Sequence, residues 1–299
     1  MDPHTANPLT LRPSPNHRFR ASSRRLGLVL VTLLALAACA GQAASPTSAT
    51  PQHVPLTLVD SAPPPGINVP GAHWIKIRGA GGVAASEQLA AVFRPSGQGP
   101  FPLVIELHGD GGLKDVDVEW AARLAEAGFV ALAGCWQAST VPPDTFQFYE
   151  LTVRFIECPV LVASPVDAIA ALIEAGRKQP GVRSDAVALY GMSSGGAAAL
   201  EVLASRSDIR AAVVDSGDAP GPEPSKINSA VLFLAGTADE YVPFTAQKNY
   251  VEALQRAGKQ VEWHYYQGGR HTLILDPVNK DDAMKRIIDF LSRQLLGTA

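Results

Sequence analysis

One stretch constrains the fold more than any other: Val187-Ala188-Leu189-Tyr190-Gly191-Met192-Ser193-Ser194-Gly195-Gly196-Ala197-Ala198-Ala199-Leu200. It reads as a buried strand, a tight turn and a helix of small residues. Its centre, Gly191-Met192-Ser193-Ser194-Gly195, fits the G-x-S-x-G elbow, in which a serine occupies a strained turn between strand and helix. A Cβ at either flanking glycine would collide with the neighbouring strand or helix. The strain lifts the hydroxyl clear of the sheet. The N-terminal amides of the helix point to the same place, where they stabilise negative charge developing on an oxygen.

With 299 residues, 46% of them hydrophobic, the chain has material for one domain and an N-terminal extension. The formal charge is −3, but residues 1–39 hold five Arg and one Asp, leaving 20 basic against 27 acidic side chains in the remainder. That balance gives no electrostatic case for nucleic acid. The three cysteines, Cys39, Cys135 and Cys158, show no C-x-x-C spacing, and no pair of His stands at i, i+4. No metal site is expected.

Arg18, Arg20, Arg24 and Arg25 precede an apolar run from Leu26 to Ala38. The run is too short to span a bilayer and suits the apolar region of an export signal. Leu36-Ala37-Ala38-Cys39 follows and resembles the bacterial lipobox, which implies that Cys39 becomes a lipidated first residue and that the protein is held at the cell envelope by a lipid anchor. The alternative is a plain signal and a soluble secreted product. Residues 1–39 are therefore expected to be signal. Residues 40–70, rich in Pro, Ser, Thr and Ala, are expected to be a tether, because such a composition cannot bury enough apolar surface to order itself. Residues 71–299 are then expected to form the globular domain.

Within that domain, His73–Arg78 and Leu89–Arg94 predict an antiparallel hairpin. Gly79-Ala80-Gly81-Gly82-Val83-Ala84 between them matches the G-x-G-x-x-A dinucleotide fingerprint in letters, but a strand follows where a helix is needed, so it reads as a turn and no cofactor is implied. Pro102–Leu107 is a near-continuous apolar run typical of a central parallel strand. Helical spacing over 116–128, from Ser164 through Ile173, and over 244–257 and 281–295 alternates with strands at 129–133, at the start of the 187–200 stretch, and at 210–215, 230–235 and 261–266. The alternation predicts an α/β fold with a mostly parallel central sheet, helices on both faces and the hairpin at its start. The roughly 30 residues between the 129–133 strand and the next helix hold Trp136, Phe146, Phe148 and Tyr149, and a connection of that length is usually functional.

A serine hydroxyl is a weak nucleophile and needs a base within hydrogen-bond reach, itself oriented by an acid. In chains built around such an elbow the acid follows the serine and the histidine comes last. Asp239 stands in Gly236-Thr237-Ala238-Asp239 after one predicted strand, and His271 in Gly268-Gly269-Arg270-His271 after the next. Alone, the first reads as a turn aspartate and the second as a loop histidine; together with the elbow, both fall on strand ends in the required order. The oxyanion donors expected are the amides of Ser194 and of Asp110, after His108-Gly109. Glu106 interrupts the apolar run and must be protonated or matched to a donor or cation. Cys135 and Cys158, on either side of the long connection, are a disulfide in an exported protein or two separate buried thiols.

Through Gly191-Met192-Ser193-Ser194-Gly195-Gly196, Gly236-Thr237-Ala238-Asp239 and Gly269-Arg270-His271, residues 71–297 resemble the α/β-hydrolase superfamily and its dienelactone hydrolase-like branch. The resemblance implies that Glu106 lies beside the nucleophile and tunes it; the reading from the residues is a structural glutamate hydrogen-bonded to loop amides. Dienelactone hydrolases carry Cys where this chain has Ser193, and an arginine for a substrate carboxylate shortly after the histidine, where this chain has Thr272-Leu273-Ile274-Leu275. The expected activity is a cofactor-free serine esterase acting on a less anionic small ester through an acyl-enzyme. A peptidase or acyltransferase would use the same triad, and a non-catalytic envelope binding protein is the alternative of another class.

Overall fold

The structure is a computed structural model that describes residues 55–79, 87–159, 164–217 and 220–297. The elements run β1 (Thr57–Asp60), β2 (His73–Arg78), β3 (Glu87–Phe93), β4 (Phe101–Leu107), α1 (Asp115–Glu126) and β5 (Val130–Gly134). A hairpin of β6 (Thr145–Phe148) and β7 (Leu151–Arg154) follows, then α2 (Pro165–Arg177), β8 (Val182–Met192), α3 (Ser194–Ser205) and β9 (Ala211–Asp215). The chain continues with β10 (Ala230–Gly236), α4 (Phe244–Arg256), β11 (Val261–Tyr266) and α5 (Lys280–Leu295).

Nine strands form one sheet in the order β1-β2-β3-β5-β4-β8-β9-β10-β11. The six from β5 to β11 pair in parallel, while β1, β2 and β3 are antiparallel and β3 joins β5 antiparallel. Both sheet faces are covered, which is why the central strands read as continuous apolar runs. On one side Val104, Ala131, Ala188 and Val213 pack against α1 and α5; on the other Leu103, Ile105, Leu132 and Leu189 pack against α2, α3 and α4. Strand order reverses at β4, since β5 lies on one side of it and β8 on the other. Open α/β sheets bind their ligands beyond the strand C-termini at such a reversal. The loop after β4 carries Gly109 and Asp110, and the turn after β8 carries Ser193.

Three expectations need correction or limits. Residues 57–60 are not tether: β1 pairs with β2 in register Thr57↔Arg78 to Asp60↔Ile75, and Ile67 is buried. β1 is an edge strand whose residues stay largely exposed, held by ladder hydrogen bonds, so no hydrophobic run marks it. The long connection after β5 contains the β6–β7 hairpin, paired from Thr145↔Arg154 to Phe148↔Leu151. The glycine-rich turn beyond Gly79 and the whole segment of Cys39 lie outside the described residues.

Cys135 and Cys158 are disulfide-bonded, with their Cα atoms 5.5 Å apart and a separation of 23 in sequence. The bridge joins the end of β5 to the segment after β7 and closes the hairpin into a loop with fixed feet. Closing a loop of that length constrains the unfolded chain by about 3 kcal/mol. The double variant Cys135→Ser/Cys158→Ser is expected to melt about 10 °C lower than wild type. Thermal unfolding with and without dithiothreitol checks this: reductant should lower the wild-type Tm and leave the variant's unchanged.

Candidate active site

Ser193 sits at the junction of β8 and α3 with φ 50° and ψ −122°, a backbone conformation that a serine adopts only when its surroundings impose it. The surroundings here are backbone. A Cβ on Gly191 would lie 2.3 Å from the Gly195 carbonyl oxygen, and one on Gly195 would lie 2.1 Å from the carbonyl oxygen of Leu107. Only glycine admits these approaches, so strand, turn and helix close on one another and on the end of β4. The Ser193 amide donates to the Asp215 carbonyl at 2.8 Å, tying the turn to β9 as well.

His271 Nε2 lies 2.9 Å from Ser193 Oγ, and His271 Nδ1 lies 3.0 Å from both carboxylate oxygens of Asp239. An ionised carboxylate only accepts, so Nδ1 carries the proton and Nε2 is left to accept from the serine. Asp239 also receives the amides of Tyr241 and Val242 at 2.9 and 2.8 Å. Burial would raise its pKa, but the hydrogen bonds from His271 and these amides outweigh burial and hold it below the ordinary carboxylate value. The three expected side chains therefore form one hydrogen-bonded line across loops after β8, β10 and β11.

The loop after β4 approaches the serine closely: a Cβ on Gly109 would be 3.3 Å from Ser193 Cβ. Gly109 and Asp110 line the same cavity as Ser193 and His271, a hollow of about 300 Å³ whose walls include Phe148, Met192, Val242 and Leu275. Ser194 opens α3, so its amide is one of the first-turn donors without an intrahelical acceptor. A larger hollow of about 510 Å³, walled by Pro63, Pro64, Pro65 and Arg154 among others, touches none of the three. His108 is buried, its Nδ1 2.9 Å from the Gly109 carbonyl. Burial first, and then the charge of Lys114, push its pKa down to about 3, so it stays neutral and serves structure. Among the described residues no group of three or more His, Cys, Asp or Glu is arranged to hold a metal ion.

Several residues near the site escaped the sequence reading. Asp215, at the end of β9, receives the amides of Leu273 and Ile274 at 3.0 and 3.3 Å, while Ser216 Oγ receives that of Thr272 at 3.0 Å. Burial raises Asp215 to about 6 against these bonds. The pair carries the turn that follows His271, where Thr272 has φ 56°. An aspartate ending a buried strand was the signal, close to that of Asp239, which stands three residues beyond the end of one. Glu240 receives the His271 amide at 3.2 Å, and Tyr149 Oη lies 2.9 Å from the His271 carbonyl. Lys114, buried below the cavity, pairs with Asp117 at 3.2 Å.

Glu106 is fully buried, and neither carboxyl oxygen has a hydrogen-bond partner among the described residues. It is thus neither bonded to loop amides nor hydrogen-bonded to Ser193, in contrast to both expectations. Its place explains this. Side chains alternate along β4, so Glu106 points with Val104 toward α1, beside Tyr190 of β8 in register. Burial, reinforced by the nearby Asp117 carboxylate and only partly offset by Lys114, raises its pKa well above the ordinary value. The glutamate is held protonated.

Residues 89–294 match the dienelactone hydrolase family. None of the curated proteins matches the chain. Among solved structures, a Klebsiella pneumoniae protein assigned as a dienelactone hydrolase is similar, with a TM-score of 0.58 at 18% identity over 80% of this chain and 100% of that one. A dienelactone hydrolase-like promiscuous phosphotriesterase from metagenomic libraries has a TM-score of 0.58 at 19% identity, covering 80% of this chain and 98% of its own. Esterase 2 of Thermogutta terrifontis, phosphorylated by paraoxon, has a TM-score of 0.54 at 18% identity over 76% of this chain and 95% of that one. At these identities the likeness is one of fold.

The protonated Glu106 has a pH signature. In the unfolded chain it loses its proton near 4.5, the ordinary value for a glutamate, whereas in the folded chain it keeps it to well above that. Above that pH the unfolded state binds fewer protons than the native state, so stability falls as pH rises. Glu106→Gln removes this titration. The variant's Tm should equal wild type near pH 4 and exceed it by a margin that widens toward pH 8. The pH profile of kcat/KM should not move. A shifted profile would restore Glu106 to a role at the nucleophile.

Proposed function

The chain belongs to the dienelactone hydrolase family and is a hydrolase of ester type; we propose that it cleaves small, neutral carboxylic esters through an acyl-enzyme on Ser193. The observation that carries the reading is the line from Asp239 through His271 to Ser193, with contacts of 3.0 and 2.9 Å. Ser193 Oγ attacks the ester carbonyl as His271 Nε2 takes its proton. The imidazolium that forms is stabilised by Asp239, and the same proton passes to the departing alcohol. Negative charge on the former carbonyl oxygen is met by the amides of Ser194 and Asp110. Water, activated by the same histidine, then releases the acid and restores the serine.

Two features support a neutral substrate. Where dienelactone hydrolases place an arginine after the histidine, this chain has a buried turn, Leu273–Leu275, and Leu275 lines the cavity. The lysine at the cavity floor, Lys114, is already paired with Asp117. A carboxylate entering there would be desolvated without a free partner. A volume of about 300 Å³ lies at the small end for ligand pockets and suits short acyl groups.

Ser193→Ala should abolish ester hydrolysis with the fold intact, since losing such a nucleophile costs about a millionfold in kcat. Wild type should be labelled by a fluorophosphonate and Ser193→Ala should not. A series of p-nitrophenyl esters beside amide and lactone substrates sets the class: short neutral esters should turn over fastest. Faster amide cleavage would assign a peptidase, and no turnover with no labelling would leave a binding protein.

Export belongs to the same proposal. Arg24, Arg25, the apolar run and Leu36-Ala37-Ala38-Cys39 support a lipidated Cys39 holding the enzyme at a bacterial envelope membrane. Expressed in a bacterium, wild type should partition into detergent and Cys39→Ser should not. Equal partition of the two into the aqueous phase would defeat the anchor.

A further inference from the structure

The hairpin β6–β7 turns through only two residues, Tyr149 and Glu150, since Phe148 pairs with Leu151. Tyr149 has φ 54°. The first position of such a turn is usually glycine, because a side chain in the left-handed region is strained. A bulky aromatic there is kept only when its surroundings fix it. They do so through the histidine loop. The Tyr149 hydroxyl shares its proton between Glu240 Oε1 at 2.8 Å and the His271 carbonyl at 2.9 Å. Glu240 Oε2 accepts the His271 amide at 3.2 Å. The peptide groups on both sides of the His271 side chain are thus gripped by one tyrosine–glutamate pair.

The turn grips the preceding residue too. The Arg270 guanidinium lies over the Tyr149 ring at 3.6 Å, and its Nη2 donates to Glu150 Oε2 at 3.1 Å. Both turn residues therefore hold Arg270-His271, and nothing in β6–β7 pairing itself requires this. The feet of the hairpin are tied by Cys135–Cys158, and Phe148, next to Tyr149, is in the cavity wall.

We propose that Tyr149 is a positioning residue: through the His271 carbonyl and Glu240 it sets the place of the imidazole between Ser193 and Asp239. The disulfide acts as the anchor of this strap. An imidazole that drifts by about 1 Å loses the alignment on which proton transfer depends, and misplacements of that size cost up to about 100-fold. The hydroxyl touches neither Ser193 nor the cavity, so its loss acts on turnover and not on substrate binding. The inference rests on the triad reading above.

Tyr149→Phe keeps the ring, the backbone angle and the Arg270 stacking and removes the hydroxyl alone. On a short p-nitrophenyl ester its kcat should fall about tenfold, part of the loss full misplacement causes, with KM within about twofold. A purely structural hydroxyl would lower Tm and leave kcat unchanged well below the melting range. A second measurement uses the strap's anchor. Dithiothreitol reduces the disulfide to two thiols and is itself oxidised to its cyclic disulfide. Reduction should lower wild-type kcat by a similar factor and leave Tyr149→Phe almost unaffected, the non-additivity expected of two parts of one device. Unchanged kcat in Tyr149→Phe, a rise in KM that accounts for the loss, or equal losses on reduction in both proteins would overturn the role of Tyr149. Failure of the triad reading is separate: wild type would then escape fluorophosphonate labelling.

Discussion

The contact on which the site depends is between backbones that touch without any Cβ. Gly191 meets Gly195, and Gly195 meets the carbonyl of Leu107, so the end of β8, the start of α3 and the end of β4 form one packed unit. Nothing larger than hydrogen fits, and nothing flexible intervenes. The forced conformation of Ser193 follows from this squeeze, which has only one way to lead a strand into a helix at that separation. Because β4 and β8 flank the reversal of strand order, the same unit places the serine beside the loop of Gly109 and Asp110.

The histidine loop has a similar backbone contact at its start, where a Cβ on Gly236 would lie 2.1 Å from the Gly269 carbonyl oxygen, and beyond it is held by side chains. From within, Asp215 and Ser216 receive three successive amides from Thr272 to Ile274; from outside, Glu240 and Tyr149 hold both peptide groups of His271. Carboxylates receiving amides are among the stronger hydrogen bonds available, so a loop without regular structure gains a defined course. The asymmetry is informative. Ser193 is held by backbone contacts among Gly191, Gly195, Leu107 and Asp215, whereas His271 is also held by side chains up to 122 positions away.

That difference also decides what could be read without a structure. The elbow, the order of Ser193, Asp239 and His271, and the parallel sheet are local or periodic features, and each left a mark in the sequence. β1 left none, because an edge strand of four mostly exposed residues is held by its partner's hydrogen bonds. Tyr149 was visible as an aromatic in a long connection, but its direction depends on the hairpin register and on the loops it meets. Glu106 was recognised as an intruder in an apolar run; whether it faced the loop amides or α1 turned on the pleat of β4, where one residue of register exchanges the two faces.

Charge buried under the cavity bears on which substrates the site can accept. Four ionisable groups meet there: Glu106, His108, Lys114 and Asp117, all fully or nearly fully buried. Burial keeps Glu106 protonated and His108 neutral. Burial raises Asp117 too, and Lys114 opposes the rise with its charge, its amide at 2.7 Å and its ammonium at 3.2 Å. The Lys114 ammonium and the Asp117 carboxyl group are closed on each other. Lys114 is therefore engaged away from any substrate anion, and Arg270, the cation next to the histidine, is turned outward onto Tyr149 and Glu150. Asp110 at the rim would add repulsion for an anion. On the proposed reading, the oxyanion is met by oriented amides while a substrate carboxylate finds no free partner, and that combination supports the proposal of neutral esters over anionic lactones.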